Sequence, residues 1–194
     1  MSDLILHQYT ISPFSEKVRV VFAIKGLAWR ACEQPVINPK PDLVDLTGGY
    51  RRIPVLQIGA DLYFDSTLIV EELERRFPQK PACGSGMAIA NAITPWVESE
   101  LFPAVVVALF GSPDWDFDDA FIADRDALLG HSFDPAVMAS EVPAMEREIR
   151  RHLALLDQHM ADGRVFIMGD APDAIDAIVY SQTVFMRWGK GRVA

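Results

Sequence analysis

The chain is poor in cysteine: Cys32 and Cys83 are the only two in 194 residues, far apart and not in CxxC spacing. That pattern supports neither a disulfide framework nor a thiolate metal site, and both read as reduced structural thiols. Metal-ligand histidine spacing is missing too. His7 and His131 are isolated, and His152 and His159 share a helix face but lie two turns apart, so no metal is expected. No apolar run reaches the roughly 20 residues needed to span a bilayer. The opening MSDLILHQYT has no basic stretch and no cleavage pattern, so it does not read as a secretory leader, and a cytoplasmic location is expected. No internal repeat or low-complexity segment occurs. Basic residues are few: 18 Lys and Arg stand against 27 Asp and Glu, for a net charge of −9. Residues 1–80 are balanced at 10 of each sign, whereas 81–194 hold 8 basic and 17 acidic groups. This acidic second half disfavours nucleic acid and anionic membranes as partners. The acidic run Asp114, Asp116, Asp118, Asp119, interleaved with Trp115 and Phe117, reads as solvated loop surface.

What the chain does have is apolar residues, half of the total, enough for a sizeable core. The stretch Arg52 to Ser66, RIPVLQIGADLYFDS, is the most informative. Val55 to Ile58 and Asp61 to Phe64 are two short runs around Gly59-Ala60, a hairpin signal. Pro54 stands at the first strand's start, where a residue without an N–H fits. Asp65-Ser66 then opens the apolar-periodic run Leu68, Ile69, Leu73, Phe77, as a helix N-cap does.

Earlier in the chain, Leu4 to Tyr9 reads as a strand. Ser12 caps a helix with Pro13 at its first position, and that helix turns Val18, Val21, Phe22 and Ile24 inward before stopping near Gly26. Trp29 to Val36 is a second strand, and Pro41 to Leu46 a short helix. The order strand, helix, strand, helix, strand, strand, helix makes the first pair parallel and the hairpin antiparallel. Pro78 to Gly86 is rich in Pro and Gly and reads as a linker. Strand signals then fade. Met87 to Phe110 is a long helical pattern with Pro95 and Pro103 as candidate kinks. Further helices are expected over Asp118 to Leu129, Glu141 to Met160 and Asp173 to Trp188, the second with Met145, Ile149, Leu153, Leu156 and Met160 on one face.

This layout resembles the glutathione transferase family. The resemblance implies a thioredoxin-like α/β unit (1–78), a linker (79–86) and an all-helical unit (87–194). It implies a cis Pro54, Ile53 pairing its backbone with the cysteine of glutathione, and Asp65 and Ser66 holding the γ-glutamyl end. The physics is compatible: an extended tripeptide can add to a strand edge, and a helix N-terminus attracts a carboxylate. Ser12-Pro13-Phe14-Ser15 occupies the place of a glutaredoxin CPYC. Both sulfurs are replaced by hydroxyls, which disfavours disulfide exchange. The frame SPFSEKVR resembles the omega-class pattern with serine for cysteine, and the zeta-class serine motif.

The implied chemistry is to hold glutathione as thiolate, for which a hydroxyl donor and a helix N-terminus both serve. Ser12 is placed for both, and Ser before Pro is equally a common N-cap. Tyr9 is the competing hydroxyl and Ser15 a second donor. Arg52 matches the cation for the glycine carboxylate, with Lys40 and Arg51 as weaker candidates. The electrophile pocket would be lined by Ile11, Phe14, Trp96, Phe102, Val106 and Phe110. Gly169 to Asp176 resembles the family's capping box, with Asp173 as cap and Asp176 as second acid. The family usually continues with more helices, whereas 18 residues follow Asp176 here, ending GKGRVA. The expectation is a transferase that joins glutathione to a hydrophobic electrophile, or uses it to isomerise or dehalogenate one, or else a non-catalytic binding or assembly module of the same fold; a homodimer is expected.

Overall fold

The computed structural model describes residues 3–189; Lys190 to Ala194, most of the terminal GKGRVA, lie outside the described residues. A four-stranded sheet is built from β1 (Leu4–Gln8), β2 (Arg30–Glu33), β3 (Val55–Ile58) and β4 (Asp61–Phe64), in the order β2-β1-β3-β4. β1 and β2 are parallel, with Leu6 opposite Ala31; β1/β3 and β3/β4 are antiparallel, with Leu6 opposite Leu56 and Leu56 opposite Tyr63. The fold is thus the thioredoxin-like order expected, followed by helices. The second strand, Arg30–Glu33, is shorter than the expected Trp29 to Val36, although the Gln34 N–H still donates to the Gln8 carbonyl at 2.6 Å.

Helix α1 (Pro13–Lys25) starts as its sequence requires: Ser12 Oγ accepts the Ser15 N–H at 3.2 Å, and Pro13 fills the first turn. Gly26 ends it at φ 61°, a left-handed cap that glycine adopts without strain. Val18, Val21 and Phe22 are fully buried. α2 (Pro41–Thr47) is short, and α3 (Ser66–Arg76) is capped by Asp65, whose carboxylate accepts from the Thr67 and Leu68 N–H groups at 2.7 and 3.3 Å.

The helical half holds α4 (Met87–Trp96), a π-helical turn (Val97–Leu101) and α5 (Phe102–Phe110) in one run, then α6 (Asp119–Leu129), α7 (Pro135–His159) and α8 (Ala174–Gly189). The π turn lies between Pro95 and Pro103, the two residues whose missing N–H groups force the ladder to change register. One expectation is corrected here. Met87–Phe110 is 24 residues long and apolar enough, by length and composition, to cross a membrane. In this fold Val97, Leu101, Val105 and Leu109 are buried core residues, and the run packs on α7 and α8.

α7 begins two turns before the expected Glu141, because Asp134 accepts the Ala136 and Val137 N–H groups at 2.9 and 3.2 Å. Its first turns lie so close to the end of α5 that a Cβ on Gly111 would meet the Met138–Ala139 backbone at 2.7–2.8 Å. The two halves join through α1, which packs on α8. Two lysines of α1 are buried in ion pairs, Lys25 to α3 and the connecting segment and Lys17 across to the helical half. Lys25 Nζ lies 2.6 Å from Glu74 and donates to the Lys80 carbonyl at 2.9 Å. Lys17 Nζ lies 2.7 Å from Glu98 in the π turn and donates to Thr67 at 3.3 Å. The capping box forms as the resemblance implied: the Asp173 N–H donates to Asp176 at 2.8 Å, and the Asp173 carboxylate accepts from Ile175 and from Ser85 of the connecting segment.

Candidate functional site

A cleft of about 740 Å³ opens between the halves. Its α/β wall is made of segment ends. The end of β1 brings Tyr9, Ile11 and Ser12, and the start of α1 brings Phe14. The segment before β3 brings Arg51, Arg52, Ile53 and Pro54, and the start of α3 brings Asp65 and Ser66. The Ile53–Pro54 bond is cis. Asp65 sits at φ 73°, a left-handed value unusual for a non-glycine residue. Ser12 is 2% exposed. Its oxygen accepts the Ser15 N–H, so it is an N-cap, and among the described residues no acceptor takes the proton of that hydroxyl. A serine hydroxyl has one donor and two acceptor positions, and capping uses one of the acceptors only. Ser15 is fully buried without a hydrogen-bond partner for its hydroxyl and does not line the cleft.

Among the residues expected to line an electrophile pocket, Ile11, Phe14, Phe102, Val106 and Phe110 all face this cleft. Phe14 and Phe102 meet edge-to-face across the two halves with centroids 4.9 Å apart. Trp96 does not join them. Its indole N–H donates to His152 Nδ1 at 3.0 Å, and that pairing turns it toward α7 instead. Arg52 lines the cleft, but its guanidinium donates to the Leu128 carbonyl at 2.8 Å.

The segment read as solvated loop splits by side-chain type. The carboxylates of Asp114, Asp116, Asp118 and Asp119 are exposed, while Trp115, Phe117 and Phe121 turn into the cleft beside Phe133. Trp115 and Phe117 stack at 5.6 Å, Phe117 and Phe121 at 4.9 Å, and Phe110 meets Phe117 edge-on at 5.3 Å. The signal was the alternation itself: rings between charges, then Phe121 one turn into a helix. A period-two acidic stripe next to a capped helix has an apolar face as well as a charged one.

α6 closes this side through Asp124. Its carboxylate accepts from the Asn38 N–H at 2.9 Å and pairs with Arg51 and with Arg125, the latter at 2.9 Å. Arg125 also donates to the Val36 carbonyl at 2.8 Å and lies over the Phe121 ring. Burial pushes the Asp124 carboxyl up. The Asn38 N–H and the two guanidiniums outweigh it, and the net shift is downward.

Lys40 also lines the cleft, only 4% exposed, with its Nζ 5.2 Å from the Tyr9 ring centroid. Burial, then Arg125 and Arg51, bring its pKa down to about 8 against the opposing pull of Asp124. Cys83 is inert by contrast, because burial first and then Glu74 and Asp173 push its thiol up to about 12. No group of three or more His, Cys, Asp or Glu side chains gathers as a metal site among the described residues.

The family model "Glutathione S-transferase, N-terminal domain" matches residues 6–81, and "Glutathione S-transferase, C-terminal domain" matches 139–187. Glutathione S-transferase U4 of Arabidopsis thaliana is 28% identical over 79 residues, 41% of this chain and 35% of its own. A GST-like protein from Pseudomonas syringae, known from its crystal structure, is 33% identical with a TM-score of 0.71, over 95% of this chain and 58% of that one. A Ceriporiopsis subvermispora glutathione S-transferase crystallised with glutathione shares the fold at TM-score 0.74 and 17% identity, over 96% of this chain and 86% of that one. The chain therefore spans about a third of the curated relative and somewhat over half of the Pseudomonas protein. With a thioredoxin-like half, a helical half and matches to both domain models, the chain belongs to the glutathione S-transferase family.

Proposed function

We propose that the chain binds glutathione in this cleft as thiolate and transfers it to a hydrophobic, ring-bearing electrophile. The observation that carries the reading is the convergence on one cleft of the Ser12 hydroxyl, the Ile53–Pro54 edge, the Asp65–Ser66 helix start and an aromatic wall opposite. Ser12 would cap α1 and donate its free proton to the sulfur, with the helix N-terminus adding its positive end. Ile53 would pair its backbone with the cysteinyl residue, as an added strand does. Asp65 and Ser66 would hold the γ-glutamyl end. For the glycine carboxylate we favour Lys40 over Arg52, because the Arg52 guanidinium is engaged with Leu128 and Lys40 has no anionic partner of its own. The aromatic wall would hold the electrophile beside the sulfur, so that catalysis is thiolate stabilisation plus proximity.

The division into residues 1–78, a linker at 79–86 and 87–194, a cytoplasmic location and a homodimer are part of this proposal. The dimer face would use the edge from Tyr63 to Arg75 and the first long helix, where Leu68 and Ile89 are exposed. Retention on glutathione-agarose with elution by free glutathione, followed by turnover of aryl halides, epoxides and haloacids, tests the enzyme. No retention and no thermal shift at millimolar glutathione would reject it, and binding without any turnover would favour the non-catalytic module. Light scattering at the mass of one chain, 21.6 kDa, would reject the dimer.

A further inference from the structure

The chain has five lysines, and their surroundings differ in kind. Lys17 and Lys25 are buried in ion pairs with Glu98 and Glu74. Lys80 is exposed, and Lys190 lies outside the described residues. Lys40 is buried in the cleft wall, and among the described residues no oxygen accepts a hydrogen bond from its Nζ. The charged groups around it are Arg51, just before Ile53, and Arg125 and Asp124, both on α6. The Asp124 carboxylate is already shared between the Asn38 N–H and the two guanidiniums. The Tyr9 ring face lies 5.2 Å from Nζ, a cation–π contact that by itself favours the ammonium, as Asp124 does. A cation held there lacks a counter-ion and most of its water, so burial and the two arginines favour the neutral amine and bring the pKa down to about 8. A neutral lysine amine in such a place is a nucleophile toward carbonyl carbon. The same cleft supplies Phe14, Phe102, Phe110, Trp115, Phe117 and Phe121 as ring faces, which pair favourably with a flat aromatic partner.

We propose that Lys40 is a second reactive centre of the cleft, capturing aromatic aldehydes as an imine on Nζ. The nitrogen lone pair forms a bond to the carbonyl carbon as the C=O π pair moves to oxygen. One proton passes from nitrogen to that oxygen, giving a carbinolamine. The C–O bond then breaks, the hydroxyl leaves as water with a second proton from nitrogen, and C=N remains. No oxidant or reductant is consumed, and hydrolysis reverses the step. Capture belongs to the cleft without glutathione, since the glycine carboxylate is assigned to the same ammonium, and it stands whether or not the glutathione reading does.

The test treats the full chain with benzaldehyde across pH 6–9, reduces trapped imine with cyanoborohydride and maps benzylated lysines by peptide mass spectrometry. A pKa drop from 10.5 to about 8 raises the neutral amine fraction near pH 7 on the order of several hundredfold. Allowing for restricted access, Lys40 is expected to be labelled about tenfold or more faster than Lys80, with a rate that climbs to about pH 8 and levels above it. Cyclohexanecarboxaldehyde should label it more slowly, and Lys40→Met, checked for folding by circular dichroism, should lose the fast phase. Equal labelling of Lys40 and Lys80, or a fast phase that persists in Lys40→Met, overturns the proposal. If Lys40→Met does not fold, the wild-type map and its pH profile decide by themselves.

Discussion

On the α/β wall of the cleft the groups that face inward are set by backbone: a capped helix start at Ser12, a strand entry at Ile53–Pro54, and a cap at Asp65 held at positive φ. On the helical wall they are set by side-chain packing: Phe110, Trp115, Phe117, Phe121 and Phe133 hold one another edge-on or stacked. Backbone geometry places a hydrogen-bond donor to within a few tenths of an ångström and has little room to vary. Packed rings define a volume, and a volume can be reshaped one side chain at a time. A wall of the first kind suits one constant ligand, and a wall of the second kind suits a variable one. Asp124 is where the two meet, since it binds the Asn38 backbone and Arg51 on one side and Arg125 on the other.

The strongest way to break the comparison is Ser12→Ala. Losing one hydrogen bond to a charged group costs about 1.5–3 kcal/mol. Turnover should therefore fall roughly ten- to a hundredfold, with glutathione affinity little changed and the pKa of bound glutathione raised. Stability should fall by about 1 kcal/mol as the cap is lost, and a denaturation midpoint measured alongside separates the two effects. Tyr9→Phe should change turnover much less, and the opposite ranking would move the sulfur donor to Tyr9.

Next in size is Asp124→Asn. It leaves Arg51 and Arg125 without their shared carboxylate, and removing a charged hydrogen-bond partner from a buried site is expected to cost about 1.5–3 kcal/mol. Urea midpoints should register the loss, and amide exchange should quicken over α6 more than over α3. Uniform loosening of both would mean that Asp124 does not join the walls. Phe117→Ala should be milder. It removes a half-buried ring from the stack, and KM for an aromatic electrophile should rise several-fold while glutathione affinity, by calorimetry, stays within about twofold.

The smallest effect separates the halves by acid. In the helical half, burial first and Arg151 second lower the His152 pKa from its ordinary 6.5, and its Nδ1 accepts the Trp96 indole N–H. The unfolded chain takes up that proton first, so stability from His152 is full above about pH 6.5 and declines as pH falls below it. In the α/β half, hydrogen bonding from Arg75 and then Arg76, against burial, holds Glu72 down at about 2. Its contribution is present above about 4.5 and fades as pH falls toward 2. In the parent, Trp96 fluorescence should therefore respond at a higher pH than the unfolding of α3 seen by amide exchange, and that response should be lost in His152→Gln; coincident transitions in the parent would contradict this order.

Much of this was legible before any coordinates. Local rules with short range located the first four strands and helices: Pro13 and Gly26 at the two ends of α1, Gly59 in the hairpin, Asp65 at a cap, and Asp173 with Asp176 in the capping box. Each of these depends on a residue and its neighbours three or four positions away, so the sequence alone carries it. The α/β wall of the site is made of such termini, and so its residues could be named in advance.

What only the tertiary structure decided has sequence separation in common. Trp96 belongs with His152, 56 residues on. Arg52 is engaged by Leu128 and Arg51 by Asp124, 76 and 73 residues on. The rings between the acidic residues of 114–119 turn inward because α5 and the segment around Phe133 stand behind them. Lys40 is set by burial and by charges distant in sequence, Arg125 and Asp124 of α6 among them, which act on its Nζ in opposite directions. A sequence states which side chains are charged or apolar, and periodicity states which face of one element they share. Which element that face meets depends on how the chain closes over long loops, and there solvation, pairing and pKa are determined by neighbours the local pattern does not contain.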